Sequence, residues 1–225
     1  MKKYVLTANR KVVDDVILHQ IKAIKDFGDV EEGDLGGWIQ KEDNLSHEGE
    51  AWVSDNAMVY GDATVLGNAC VTGNAEIFGH ARIQSEAFVG DHAKVSGYAF
   101  IAGDSRISDF AQIGGGAMVT SSTIFGKAIV ERNASVHFAC IGGRGYIVDK
   151  DEILSISNIW SVHDPLTAYV TLDKHLELTY KNFCGSPEEF EDYLQKEIKE
   201  NSHQKKLKAA VEFIRVWHGA KGEWK

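Results

Sequence analysis

The chain has 225 residues, 44% of them hydrophobic, enough for one large core or two modest ones. A net charge of −9 leaves no basic face for nucleic acid, and no run approaches the eighteen apolar residues of a membrane helix. Cys70, Cys140 and Cys184 are far apart, without a CxxC pair. That spacing points to a reducing cytoplasm rather than a disulfide framework or a thiolate zinc site.

Met1-Lys2-Lys3-Tyr4 is not followed by an apolar h-region, so no secretion signal is expected. Val16 to Ile24 alternates between β-branched and polar residues and predicts a strand. Lys3 to Leu6 is placed to pair with it across a turn near Asn9-Arg10. Residues 1–50 read as an N-terminal β cap, with Trp38, Ile39 and Leu45 covering an open solenoid end.

From Val53 onward every sixth residue is aliphatic: Val53, Val59, Val65, Val71, Ile77, Ile83, Val89, Val95, Ile101, Ile107, Ile113, Val119. Two residues before each stands Ala, with Ser105 as the exception. A period of six matches no helix. Between these pairs lie Asp55-Asn56, Gly61-Asp62, Gly67-Asn68 and similar turn residues, which tolerate the positive φ of a tight corner. Short strands joined by such corners predict a coil that turns one way, three sides and eighteen residues per turn. The aliphatic residues then stack inward and Ala fills the space beside them. Residues 51–142 make about five coils, on the order of 24 Å tall at the strand spacing. The register slips after Val119, where Ile124, Val130 and Val136 follow. A tightened corner is the simpler account of that deletion, and a kink at a ligand groove is the other.

Residues 143–225 predict an α+β tail ending in two helices. Tyr146–Val148, Ile153–Ile159 and Ala168–Leu172 read as strands, and Asp173-Lys174 as the turn before Leu176–Tyr180. Ser186-Pro187-Glu188-Glu189 is a capping box opening the first helix. The second runs from about Ser202 to Trp217, with Leu207, Ala210, Val211, Ile214 and Trp217 on one face and Gly219 as its end.

The register Val53/Ala57, Val59/Ala63 and onward resembles the hexapeptide-repeat family, and the resemblance implies a left-handed parallel β-helix. The lead-in Asp34-Leu35-Gly36-Gly37-Trp38-Ile39 and Asn44-Leu45-Ser46 resembles that of uncharacterised hexapeptide transferases of bacteria and phages or prophages. So do Ile141-Gly142-Gly143-Arg144 and Phe183-Cys184-Gly185 in the tail, although Gly143 departs from the Ser of that pattern. Enzymes of the family transfer acyl groups from acyl-CoA or acyl carrier protein with a His general base. Their assemblies are usually trimers.

Residues eighteen apart stack, so the outer faces can be read as columns. Trp52, Cys70 and Phe88 share one, Tyr60 and Phe78 a second, Phe100 and Met118 a third. Apolar columns of this kind are expected to be covered by the tail helices or by another subunit of a homotrimer. Of nine histidines, His92 and His137 are the best placed for catalysis, but a corner His is more simply a solvated turn residue. His80 and His92 fall on different edges and do not form a zinc site. Gly142, Gly143, Arg144 and Gly145 form the strongest ligand candidate, since a glycine-rich turn with one Arg can hold a phosphate or carboxylate.

These residues favour binding over catalysis. The expectation is a phage- or prophage-type accessory protein of the bacterial host cytoplasm, without a cofactor. It would bind a host protein or sequester an anionic small molecule such as a nucleotide defence signal. The alternatives are an acyltransferase using CoA and a structural spacer.

Overall fold

The computed structural model describes residues 1–159, 164–198 and 201–220. Two-residue strands and tight corners alternate through its middle and wind into a three-sided parallel β-helix. The first face stacks six strands, with partners Trp52, Cys70, Phe88, Arg106, Thr123 and Cys140 in register. The second carries Met58, Glu76, Lys94, Gln112, Ile129 and Tyr146. The third carries Thr64, Arg82, Phe100, Met118 and Ser135. Val53, Val59, Val65, Val71 and their successors to Ile147 are fully buried, with Ala in the space beside them. One apolar cluster runs the length of the solenoid.

There are about six turns rather than five, because parallel pairing begins before residue 51 and ends after 142. Trp38 and Ile39 pair with Met58 and Val59, and Leu45 bridges to Val65. Gly36 and Gly37 permit this close approach. A Cβ on Gly36 would lie 2.6 Å from Trp52 Cζ2, and one on Gly37 would lie 2.7 Å from the Ala57 carbonyl. At the other end Tyr146–Ile147, expected as a tail strand, is the last rung of the second face.

The register slips twice, not once. Arg106 pairs with Thr123 and Thr123 with Cys140, and in each pair the separation has fallen to seventeen residues. Both deletions fall at the corner between the third and first faces, one above the other. At full-length corners the backbone closes its own turn, as in Ala69 N–H to Leu66 O at 3.3 Å and Ala87 N–H to Gln84 O at 3.4 Å. The shortened corners, and the full-length corner between Ile101 and Ile107 directly beneath them, use serine hydroxyls instead. Ser105 Oγ donates to Ala102 O at 2.6 Å and accepts from Ser122 N–H at 3.4 Å. Ser122 Oγ donates to Thr120 O at 2.9 Å and accepts from Ala139 N–H at 3.1 Å. Ser105, the exception in the alanine series, is therefore the first sign of this change.

At the N-terminus β1 (Tyr4–Val13) and β2 (Val16–Ala23) form an antiparallel hairpin. Its turn is at Asp14-Asp15, both left-handed at φ 48 and 64°, rather than near Asn9-Arg10, where the strand carries an irregularity instead. Paired positive φ values match the twist of the flanking strands, and Asp accepts them at low cost. In the tail, β3 (Ile153–Ile156), β4 (Leu166–Val170), β5 (Leu176–Tyr180) and β6 (Phe183–Gly185) form an antiparallel sheet. The first of these strands stops at Ile156, short of the expected Ile159, where Asn158 takes a left-handed φ of 62° that a strand cannot hold. Helices α1 (Pro187–Glu197) and α2 (Asn201–Ala220) pack on the sheet. Ser186 caps α1 through the expected box, and α2 continues through Gly219 instead of stopping at Trp217.

Candidate ligand-binding groove

The tail docks on the last coils through polar contacts. Cys140 N–H donates to Thr167 Oγ1 at 3.0 Å, Gly142 N–H to Tyr169 Oη at 3.1 Å, and the Thr179 hydroxyl to Cys140 O. The Tyr169 ring, fully buried, closes the end of the solenoid core. Beside this joint the tail stands off from the first face, leaving a groove of about 1010 Å³. Its floor includes Arg106, Thr123 and Cys140 of one column and Ser108 and Phe125 of the next. The two shortened corners contribute Ser121, Ser122 and Phe138, and the tail contributes Asn158, Asp164 and residues 181–184. The register slip is thus a tightened corner, and the groove lies beside it.

Charge in the groove is mixed, with Asp104, Asp109 and Asp164 set against Arg106 and Lys181. Asp109 is spent on the fold, since its carboxylate accepts Gly126 N–H at 2.8 Å. Lys181 Nζ lies 4.0 Å from the Asp164 carboxylate. Arg106 is exposed on its strand, its guanidinium 5.8 Å from the Phe88 ring centre. Burial raises the thiol pKa of both Cys140 and Cys184, which keeps them protonated and poorly nucleophilic at neutral pH.

The Gly142–Gly145 turn lies next to this groove, but the tail already fills it. Gly142 N–H is taken by Tyr169, and Gly145 N–H by Gly142 O at 3.1 Å. A Cβ on Gly143 would meet Glu177 Oε2 at 2.7 Å, so a carboxylate of the protein sits where an anion was expected. Burial raises the Glu177 pKa, and the nearby Arg144 charge opposes that shift. Arg144 points outward to Asp173 at 3.2 Å. Both side chains of that pair are at least half exposed to solvent, so it adds little stability.

The expected apolar columns divide into three cases. Trp52 is 8% exposed, and its cover is Phe27, with ring centres 5.4 Å apart, and Tyr4 at 6.3 Å. Tyr60 is also 8% exposed; it stacks on Phe78 at 5.4 Å and is packed by Leu18 of β2. The N-terminal segment, rather than the tail helices or a second subunit, therefore covers these positions. Cys70, Phe88 and Phe100 are half-buried, and Met118 is 42% exposed.

His92 stacks on Phe110 at 5.0 Å and lies outside the groove. His137 lies on the third face. Its Nε2 is 2.7 Å from Ser135 Oγ, and its Nδ1 is bonded to the Thr120 hydroxyl. His163 lies outside the described residues. Among the described residues, no helix is long and apolar enough to cross a membrane.

Repeat, register and inward aliphatic stack define a three-sided β-solenoid built on a six-residue period. The family model described as YdcK Beta solenoid repeat matches residues 51–67. The chain is also similar to the "Uncharacterized acetyltransferase YdcK" of Escherichia coli (strain K12), 40% identical over 63 residues. That alignment spans 24% of this chain and 19% of the relative, so it covers about a fifth of the relative's length.

Proposed function

We propose that this protein binds a small anionic molecule in the groove between the shortened corners and the tail, and holds it without transforming it. The observation that carries this reading is the groove itself. Its volume of about 1010 Å³ lies at the upper end of small-molecule sites, and polar groups from two structural units converge on it. Arg106 supplies a planar cation there, while His92 and His137 stand outside. Such a protein acts as a sink, a role suited to a phage or prophage accessory protein in a bacterial host cytoplasm. The half-covered Phe100 and exposed Met118 on the third face fit a homotrimer.

Acetyl transfer from CoA is the second reading. It is favoured by the printed name of the Escherichia coli relative and by the contacts of His137 with Ser135 and Thr120. The two separate in one experiment on freshly purified protein. A sequestering protein carries a compound that native mass spectrometry detects and denaturation releases unchanged. A transferase binds acetyl-CoA and liberates free thiol in the presence of an acceptor amine or alcohol. Thiol release with no retained compound would overturn the sequestration reading.

A further inference from the structure

Phe138 combines two unfavourable features in one residue. Its backbone is left-handed, at φ 47°, and its side chain is 61% exposed. The equivalent corner residues in the coils beneath are Gly67, Ser85, Gly103 and Ser121, which are small or glycine. A left-handed conformation costs a residue with a Cβ roughly 1–2 kcal/mol. An exposed aromatic ring adds nothing to the core that would offset this cost. The backbone at Phe138 is fully engaged, its N–H bonded to Thr120 O and its carbonyl accepting from Ser155 Oγ at 2.7 Å. The fold thus uses the corner and has no use for the ring, which lines the groove.

A second ring is presented to the same space. Phe125 lies over Gly142 so closely that a Cβ there would be 2.3 Å from Phe125 Cζ. Gly142 therefore leaves room for the ring against the strand, and Phe125 also lines the groove. Arg106 lies in the neighbouring column, one coil beneath Thr123, with no ion pair to a carboxylate among the described residues. The Asn158 and Asn182 amides line the opposite wall. Two aromatic faces, a forked cation and two amides that both donate and accept suit a planar ring with polar edges and an attached phosphate.

We infer that the groove binds a phosphate attached to a planar heteroaromatic ring, the chemistry of a nucleoside monophosphate. Arg106 anchors the phosphate, and Phe138 and Phe125 hold the ring. This inference rests on the groove being the ligand site. Cys184 also lines the groove and is exposed, so its alkylation, driven at mildly alkaline pH where more of the thiol is ionised, reports occupancy.

The test is N-ethylmaleimide alkylation followed peptide by peptide in the mass spectrometer, with adenosine monophosphate, adenosine, inorganic phosphate and benzoate as probes. Adenosine monophosphate is expected to slow modification of Cys184 while leaving Cys70, two rungs below Arg106 and outside the groove, unchanged. Its half-protecting concentration should be about tenfold or more below that of adenosine, as a forked charge-assisted contact predicts. Arg106→Gln should remove that difference, and Phe138→Ser should weaken both ligands. Circular dichroism verifies that both variants remain folded. Equal protection by adenosine and its monophosphate, unchanged in R106Q, would overturn the anchor while leaving the groove as the site. Protection by benzoate alone would overturn the ligand class in the same way. If no probe protects Cys184 and the purified protein retains no compound, both the ligand class and the groove reading fall.

Discussion

Ser105 and Ser122 occupy positions where the repeat otherwise places Ala, so Ser105→Ala and Ser122→Ala bring the sequence closer to its own consensus. Consensus substitutions commonly stabilise. Hydrogen-bond accounting predicts the reverse here. Ser122 is 3% exposed, and its hydroxyl is the acceptor for Ala139 N–H at 3.1 Å in a corner one residue too short to close itself. Removing it leaves a buried N–H without a partner, which costs about 1–3 kcal/mol. Thr120 O loses one donor but keeps Phe138 N–H at 3.3 Å, so the donor side adds little. Ser105→Ala removes a 2.6 Å bond to Ala102 O and a longer contact from Ser122 N–H, for a loss of about 1 kcal/mol. Urea unfolding followed by far-ultraviolet circular dichroism measures both, with Ser96→Ala on the second face as a control within about 0.5 kcal/mol of wild type. If S122A is as stable as S96A, the shortened corner does not depend on its serines and the account given of it is wrong.

Ile77→Ala empties a fully buried position in the aliphatic stack and should cost about 2–5 kcal/mol in the same assay. Gly97→Ala places a Cβ 2.6 Å from the Gly115 carbonyl at φ 66°, and should lower the melting temperature, whereas Glu48→Ala at an exposed position should not. Lys3 is buried with Nζ bonded to the carbonyls of Gly49 and Ala51, and burial lowers its pKa from 10.5 to about 8. Between those two values the unfolded chain holds the proton that the folded chain has released, so this group makes stability rise with pH across that window. The buried thiols act in the opposite direction above their ordinary pKa, so the quantity to measure is wild type minus Lys3→Met at pH values of about 7.5 and 9.5, the first below the rise and the second well into it. A difference that does not grow with pH would refute the assignment.

The solenoid was legible because its cause is local and repeated. One inward aliphatic residue and one small neighbour per six positions allow only one winding, and the column partners read from an eighteen-residue turn are those that pair. The first turn was missed because Ile39, Leu45 and Val53 are not evenly spaced; the chain between Leu45 and Val53 is longer than a repeat corner. The second deletion was missed because Val136 to Ile141 looks like the end of the repeat rather than another slip. A serine in the alanine series was the available signal for it. The groove itself could not be read from the repeat. It arises where the tail packs, and that placement depends on contacts such as Tyr169 to Gly142, between residues far apart in the chain. The same contacts explain why Gly142–Gly145, attractive as an isolated turn, is occupied by Glu177 and Tyr169 once the chain is folded.

Hydrogen–deuterium exchange of the protein as purified, before and after its bound small molecules are stripped and the chain refolded, tests the central claim most directly. Bound compound should slow exchange in peptides covering residues 121–125, 138–142 and 181–184, which all border the groove, and leave the coils around Val59 and Ile77 unaltered. Slowing confined to the third face around Met118 and His137, with those three segments unchanged, would place the ligand elsewhere and contradict the account.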